Sequence, residues 1–274
     1  NDLAYLTQFV PRIADFSDDG RTLHGAYGVR WSGHFEVNQL PDIISMLREN
    51  PDDRRCVLQM WDVEVDLGRA GRDVPCNTHI YFLVNDGQLD MTVCCRSNDI
   101  ILGAYGANAV HFSMLQEFMA AGIGVGVGSY WQISNNFHAY RNDDLAKVWS
   151  LRDQAPDPFR TSEDNPYFSP SINTFPLVST PVEQWLQDLD MFLNEGVVVG
   201  LRDPFFRRVA QPMMMAHKAY KSETGAERYR AADEIIQQCH AQDWRLSCTE
   251  WIQRRKIAWE RREVPFTKRS LKYD

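Results

Sequence analysis

No stretch of this 274-residue sequence approaches the roughly 18 consecutive apolar residues that a membrane-spanning helix needs, and no membrane association is expected. The six cysteines (Cys56, Cys76, Cys94, Cys95, Cys239 and Cys248) are too few for a disulfide framework, and no two share C-x-x-C spacing. The seven histidines contain no H-x-x-x-H, so no bound metal is expected. Sixteen Gly and 13 Pro form no collagenous or low-complexity run. The opening Asn-Asp-Leu-Ala-Tyr-Leu lacks a basic stretch followed by an apolar one, and the protein reads as cytoplasmic. Positive charge is also short: 29 basic against 37 acidic residues leave a net charge of -8, which repels nucleic acid. An anionic ligand therefore needs a local cationic pocket. Arg outnumbers Lys by 23 to 6, and Arg supplies the planar fork that grips phosphate.

What is present, 44% hydrophobic and 24% charged residues, suits one large or two small globular domains. Cys56–Val65 reads as a buried strand, and His79–Val84, Asn85-Asp86-Gly87 and Leu89–Cys95 read as a hairpin about a strong turn signal. Helices are expected at Pro41–Asn50 and Asn108–Ala121, giving a mixed α+β core over 1–150. Gly122, Gly124, Gly126 and Gly128 miss the dinucleotide spacing G-x-G-x-x-G and read as a helix stop followed by a close-packed strand. Six prolines between Asp153 and Glu183 mark an irregular segment. Helices are then expected near Val182–Asn194, Asp203–Tyr220 and Ala226–Ala258. They make 151–274 a helical C-terminal region packed on the same domain.

The chemistry-bearing stretch is Val74-Pro75-Cys76-Asn77 with Arg96-Ser97-Asn98-Asp99 at close range. A cysteine at a strand entry is ordinarily a small buried hydrophobe. A neighbouring cation makes it a nucleophile by lowering the thiol pKa, and Arg96, Arg54 and Arg55 are the candidate cations. The Arg54-Arg55 pair equally reads as a solvated turn after Asn50-Pro51-Asp52-Asp53.

Over roughly Asn1 to Asn142 these pieces, in this order, resemble thymidylate synthase and the related pyrimidine nucleotide hydroxymethylases. The matching motifs are Tyr27-Gly28-x-x-Trp31, Asn50 to Arg55, Pro75-Cys76, the hairpin through Asp86-Gly87, Arg96-Ser97-Asn98-Asp99-x-x-Leu102-Gly103, Asn108 and His138-Ala139-Tyr140-Arg141-Asn142. The resemblance implies a two-layer fold around a bent mixed sheet. It also implies an obligate homodimer with sheets packed back to back, 5,10-methylenetetrahydrofolate as one-carbon donor and a pyrimidine nucleoside monophosphate as substrate. By it, Cys76 is the nucleophile that adds to C6 of the base, with Tyr27 and Asp99 in the catalytic set and Asp99 facing the pterin. Arg96 and Ser97 hold the 5'-phosphate together with Arg54 and Arg55 of the other subunit. Asn108 reads the base edge, with a register uncertain by one residue, and His138 and Tyr140 bind the sugar hydroxyl. From the residues alone, Asn108 also reads as a helix N-cap and His138 as a satisfied core histidine.

Methyl transfer and hydroxymethyl transfer share a covalent intermediate and part at its exocyclic methylene, which takes either hydride or water. Three departures from the synthase pattern favour water. Ile13 stands where a synthase tryptophan shields the methylene, Asn77 replaces the histidine after the nucleophile, and the C-terminal residues lack the synthase tail pattern. The expected activity is therefore 5-hydroxymethylation of a pyrimidine nucleotide. CMP or dCMP is favoured, because among hydroxymethylases the chain looks closest to the cytidylate type; Ala104, Gly106 and Ala107 leave room for a ribose 2'-hydroxyl, which favours CMP over dCMP, and dUMP comes next. A methylating synthase and a non-catalytic nucleotide-binding protein are the alternatives. The family's catalytic glutamate and another phosphate arginine lie upstream of the segment matching Asn1–Leu6, so the chain is expected to begin after them; Glu36 and Asp62 lack the matching context.

Overall fold

The computed structural model describes residues 2–8, 10–140, 172–195 and 199–263. The chain divides into two compact units, Asn1–Asp153 and Gln154–Asp274. Among the described residues no helix is long and apolar enough to cross a membrane, and no group of three or more His, Cys, Asp or Glu side chains could hold a metal ion.

The first unit is built on a four-stranded sheet in the order β1 (Val57–Gln59), β2 (Asn77–Asn85), β3 (Gln88–Cys95), β5 (Gly126–Ser134). The first two pairings are antiparallel and β3–β5 is parallel, so the sheet is mixed, as the resemblance implies. Asp86 (φ 48°) and Gly87 (φ 72°) make the hairpin turn, both in the left-handed region that a two-residue turn of the right twist requires. One face carries Leu58, Met60, Ile80, Phe82, Leu89, Met91 and Val93, all buried. It lies under α5 (Asn108–Ile123), which also packs against α3 (Gln39–Glu49). This is the expected α+β arrangement of a helical layer on a sheet. Gly124 ends α5 in the left-handed conformation, and a Cβ at Gly128 would lie 2.9 Å from the Leu89 carbonyl carbon. The glycine run is thus a stop and a close backbone approach.

The expected strand Cys56–Val65 is only three residues long. The N–H groups of Met60 and Trp61 both turn to the Thr78 carbonyl. Asp62 then caps a short helix, α4 (Val63–Asp66), by accepting the Glu64 N–H. Two-residue strands β4 (Asn98–Asp99) and β6 (Phe137–His138) pair in parallel, and a π-helical segment, Ile100–Ala107, leads from β4 into α5.

In the second unit α6 (Val182–Glu195), α7 (Gln211–Ser222), α8 (Glu227–Ile236) and α9 (Gln242–Glu263) supply the helical content that was expected. The single helix expected over Ala226–Ala258 is broken between Ile236 and Gln242. There the Cys239 thiol donates to the Ala241 carbonyl and the His240 N–H to the Arg208 carbonyl, bonds that an unbroken helix could not make. Ala216, Tyr229, Ala232, Ile236 and Ile252 form its core, with Met213 packed against it. Most of the proline-rich segment, and Arg141 and Asn142, lie outside the described residues.

Candidate active site

Cys76 stands immediately before β2, and its setting follows from one extra residue. Asn77 pairs with Cys95 and His79 with Cys94, so Thr78 is a bulge that shifts the alternation of the strand. Beyond the bulge Ile80 and Phe82 face the helical layer; because of it Asn77, at 0% exposure, faces that layer too. The Asn77 amide donates to the Tyr27 hydroxyl (2.6 Å), and its oxygen accepts from the Cys95 thiol (2.7 Å). Tyr27 opens α2 (Tyr27–Ser32) and stacks on Phe112, with ring centroids 5.7 Å apart.

Arg96 leaves the end of β3 and folds back over the strand entry. Its Nε donates to the Pro75 carbonyl (2.8 Å) and its Nη2 to the Val74 carbonyl (2.9 Å). Nη2 also lies 3.9 Å from Cys76 Sγ. The guanidinium fixes the peptides that present the thiol and sets a positive charge beside it. Burial pushes the Cys76 thiol pKa up, Arg96 opposes that rise and Asp73 adds to it, leaving the thiol above its ordinary value. Burial, and then the charge at Cys76, raise the Tyr27 phenol well above its ordinary value.

The other expected residues fall into two groups. Pairing of β4 with β6 sets Asp99 opposite His138, next to the half-buried Ser97. His138 Nδ1 lies 3.3 Å from the Asn136 carbonyl, and its ring meets Tyr140 edge-on at 4.9 Å. It is therefore not a core histidine. One oxygen of Asp99 accepts from the Ile101 and Leu102 N–H groups (3.0 and 2.6 Å), while its other oxygen makes no hydrogen bond among the described residues. Asn108 is buried at the start of α5 and does not cap it. Its amide instead donates to Asn98 Oδ1 (3.2 Å).

Arg54 and Arg55 are not brought to the thiol within this chain. Both are exposed, and Arg55 turns back on Asp53 through two side-chain bonds of 3.0 and 2.6 Å, which holds the Asp53 carboxyl down at about 2. They stand just before the edge strand β1.

Sequence reasoning missed the buried polar groups around these residues. Arg30 is fully buried and forks onto both oxygens of Asp66 at 2.9 Å; His24 lies 2.6 Å from the same carboxylate. This ties α2 to α4. Asn98 and Gln132 were missed as well, although Asn98 stood inside the Arg96–Asp99 motif. Nothing in spacing or composition marks a polar residue whose partners are distant in sequence. Asp62, weighed as an alternative carboxylate, lies 2.7 Å from His34 and caps α4.

Comparison with known proteins supplies a framework for these groups. Residues 3–162 match the family model described as Thymidylate synthase. A protein of Pseudomonas phage M6, named deoxyuridylate hydroxymethyltransferase, is 53% identical over 96% of this chain, which covers 76% of that protein. Proteins of the same name from Bacillus phage SP01 and Delftia phage PhiW-14 are each 32% identical, over 73% and 58% of this chain. The chain spans 56% and 44% of their lengths, about half.

Proposed function

Because the chain belongs to the thymidylate synthase family, we propose that it is a folate-dependent pyrimidine nucleotide 5-hydroxymethyltransferase acting on dUMP. The observation that carries the reading is the Cys76 thiol held 3.9 Å from the Arg96 guanidinium at a bulged strand entry. The similarity to the M6 protein supports the reaction type, and the deoxyuridylate in that protein's name favours dUMP over the cytidylate expected from the sequence.

In this reading a phosphate dianion beside Arg96 and Ser97 orients the nucleotide. Arg96 Nη1 makes no hydrogen bond among the described residues and is free for that contact. The Cys76 thiolate adds to C6, making C5 nucleophilic toward the one-carbon unit. C5 bonds to the carbon that methylenetetrahydrofolate would supply, and the bond from that carbon to nitrogen breaks as C5 loses its proton. Water adds to the exocyclic methylene left on the base, giving up a proton to solvent. Cys76 leaves C6 as the ring double bond returns, and tetrahydrofolate is released unoxidised. The Tyr27 phenol, kept protonated by burial and by the charge at Cys76, is assigned as a proton donor in the site.

The residues suit the donor. The Asp99 oxygen that makes no hydrogen bond among the described residues can accept from a pterin N–H, and Leu102 and Tyr105, 64% and 79% exposed on the π-helical segment, offer an apolar platform beside it. Methylenetetrahydrofolate supplies the carbon. His138 and Tyr140, packed together on the opposite strand, are assigned to the sugar hydroxyl.

A homodimer completes the phosphate site in this reading. The sheet face turned away from α5 exposes Val57, Tyr81, Leu83, Trp131 and Ile133, between 39% and 61% each. An open apolar sheet face of this kind is what a partner subunit covers, and a second copy would present its own Arg54 and Arg55 from beside β1.

The test is incubation of C5-tritiated dUMP with methylenetetrahydrofolate, followed by mass analysis of the nucleotide. Tritium release and a product heavier by a hydroxymethyl group are expected, both lost in Cys76→Ala. A product heavier by a methyl group, with dihydrofolate, identifies a synthase instead; turnover of dCMP in preference to dUMP overturns the assignment of the base.

A further inference from the structure

Asn98, Gln132 and Asn108 form a hydrogen-bonded line with a fixed direction. The Ala104 carbonyl can only accept, so Gln132 must turn its amide nitrogen to it (3.1 Å) and its oxygen the other way. That oxygen accepts from Asn98 Nδ2 (2.9 Å), which also donates to the Ser134 hydroxyl (3.0 Å). Both N–H groups of Asn98 are then used, and its oxygen is left to accept from Asn108 Nδ2 (3.2 Å). Asn98 is 1% exposed, so water does not compete for these bonds. Flipping Asn108 alone sets two oxygens against each other; flipping all three amides sets the Gln132 oxygen against a backbone carbonyl. Each reversal leaves a buried group without a partner. Gly103 closes the line, since a Cβ there would lie 2.5 Å from Asn98 Oδ1 and 3.4 Å from Asn108 Nδ2.

Resting on the reading that Asn108 meets the pyrimidine edge, we propose that Asn98 and Gln132 are positioning residues that lock the Asn108 amide in one of its two flips and thereby set the choice between uracil and cytosine. Uracil presents an N3–H donor and an O4 acceptor; cytosine presents an N3 acceptor and an N4 donor. A freely flipping carboxamide serves both edges, and a locked one serves one. Asn108 retains its oxygen and one N–H for the base, which is the complement required. With dUMP as substrate, the locked flip is the one that accepts from N3–H.

The test is equilibrium binding of dUMP and of dCMP, without folate, to the full chain and three variants. The ratio of the two dissociation constants does not depend on the folded fraction or on the chemical step. Gln132→Met removes both polar atoms, and Asn98→Ser replaces the fixed acceptor by a hydroxyl that can donate or accept. Each is expected to reduce the dUMP-over-dCMP ratio by about tenfold or more. Gln132→Glu keeps an acceptor for Asn98 Nδ2 and, once protonated, a donor for the Ala104 carbonyl, so it is expected to retain the preference at a pH low enough to protonate it. A ratio unchanged in Gln132→Met and Asn98→Ser overturns the proposal, as does equal binding of the two nucleotides by the wild type or loss of preference in Gln132→Glu at that pH. Where the wild type still hydroxymethylates dUMP, such results remove the relay alone; a wild type that binds neither nucleotide removes the proposed function with it.

Discussion

Asn77 Nδ2 lies 2.6 Å from the Tyr27 hydroxyl oxygen, and Asn77 directly follows Cys76 in the chain. The strand that presents the sulfur therefore also fixes the phenol. With its acceptor position filled by Asn77, the Tyr27 O–H is left to donate elsewhere. Tyr27→Phe deletes that donor and leaves Asn77 Nδ2 unpaired at a position of 0% exposure. It is expected to cost about 1–3 kcal/mol of stability by urea unfolding, and to lower kcat far more than the affinity for dUMP.

Cys76 and Arg96 give a second prediction through thiol reactivity. Arg96 favours the thiolate, so Arg96→Met moves the Cys76 pKa further up and reduces the thiolate fraction at every pH below it. Alkylation of Cys76 by iodoacetamide, followed by peptide mass analysis against pH, should show its rise displaced to higher pH in the variant. A displacement to lower pH would contradict the electrostatic account.

The open sheet face predicts assembly. Trp131→Glu places a charge on it from the edge strand β5, at a position 61% exposed within one chain, where a monomer tolerates it. Sedimentation should show a dimer for the wild type and a monomer for the variant, together with weakened nucleotide binding, because the proposed phosphate site takes Arg54 and Arg55 from the second copy. A monomeric wild type that retains full activity would count against the shared site.

The buried Arg30–Asp66 pair predicts a pH-dependent loss. Burial pushes the Asp66 carboxyl up, but hydrogen bonds from Arg30, the Asp62 N–H and His24 outweigh it and hold the pKa below the ordinary value. Arg30→Met strands that carboxylate and should cost about 3–5 kcal/mol near neutral pH. A depressed folded-state pKa contributes stability that is fully present above the unfolded value of about 4 and is lost as pH falls toward the folded value. The gap between wild type and variant in urea unfolding should therefore narrow as pH drops below about 4.

The sequence by itself determined most of the elements and set a thiol and a cation at neighbouring strand ends. Alternation and Asn85-Asp86-Gly87 placed the central hairpin, the glycine run marked a helix stop before a close-packed strand, and Pro75-Cys76 with Arg96 marked a thiol and a guanidinium that the fold brings within 3.9 Å. These features are legible because periodicity, turn chemistry and short motifs are local. Only the tertiary structure decided that Asn77 faces Tyr27, since one bulged residue reverses the side of the strand it occupies. It also decided that Asn108 joins a relay rather than capping its helix, and that Cys56–Val65 leaves the sheet early. In each case a polar group took its partner from another element, and the cost of leaving it unpaired outweighed the local preference that the sequence displays.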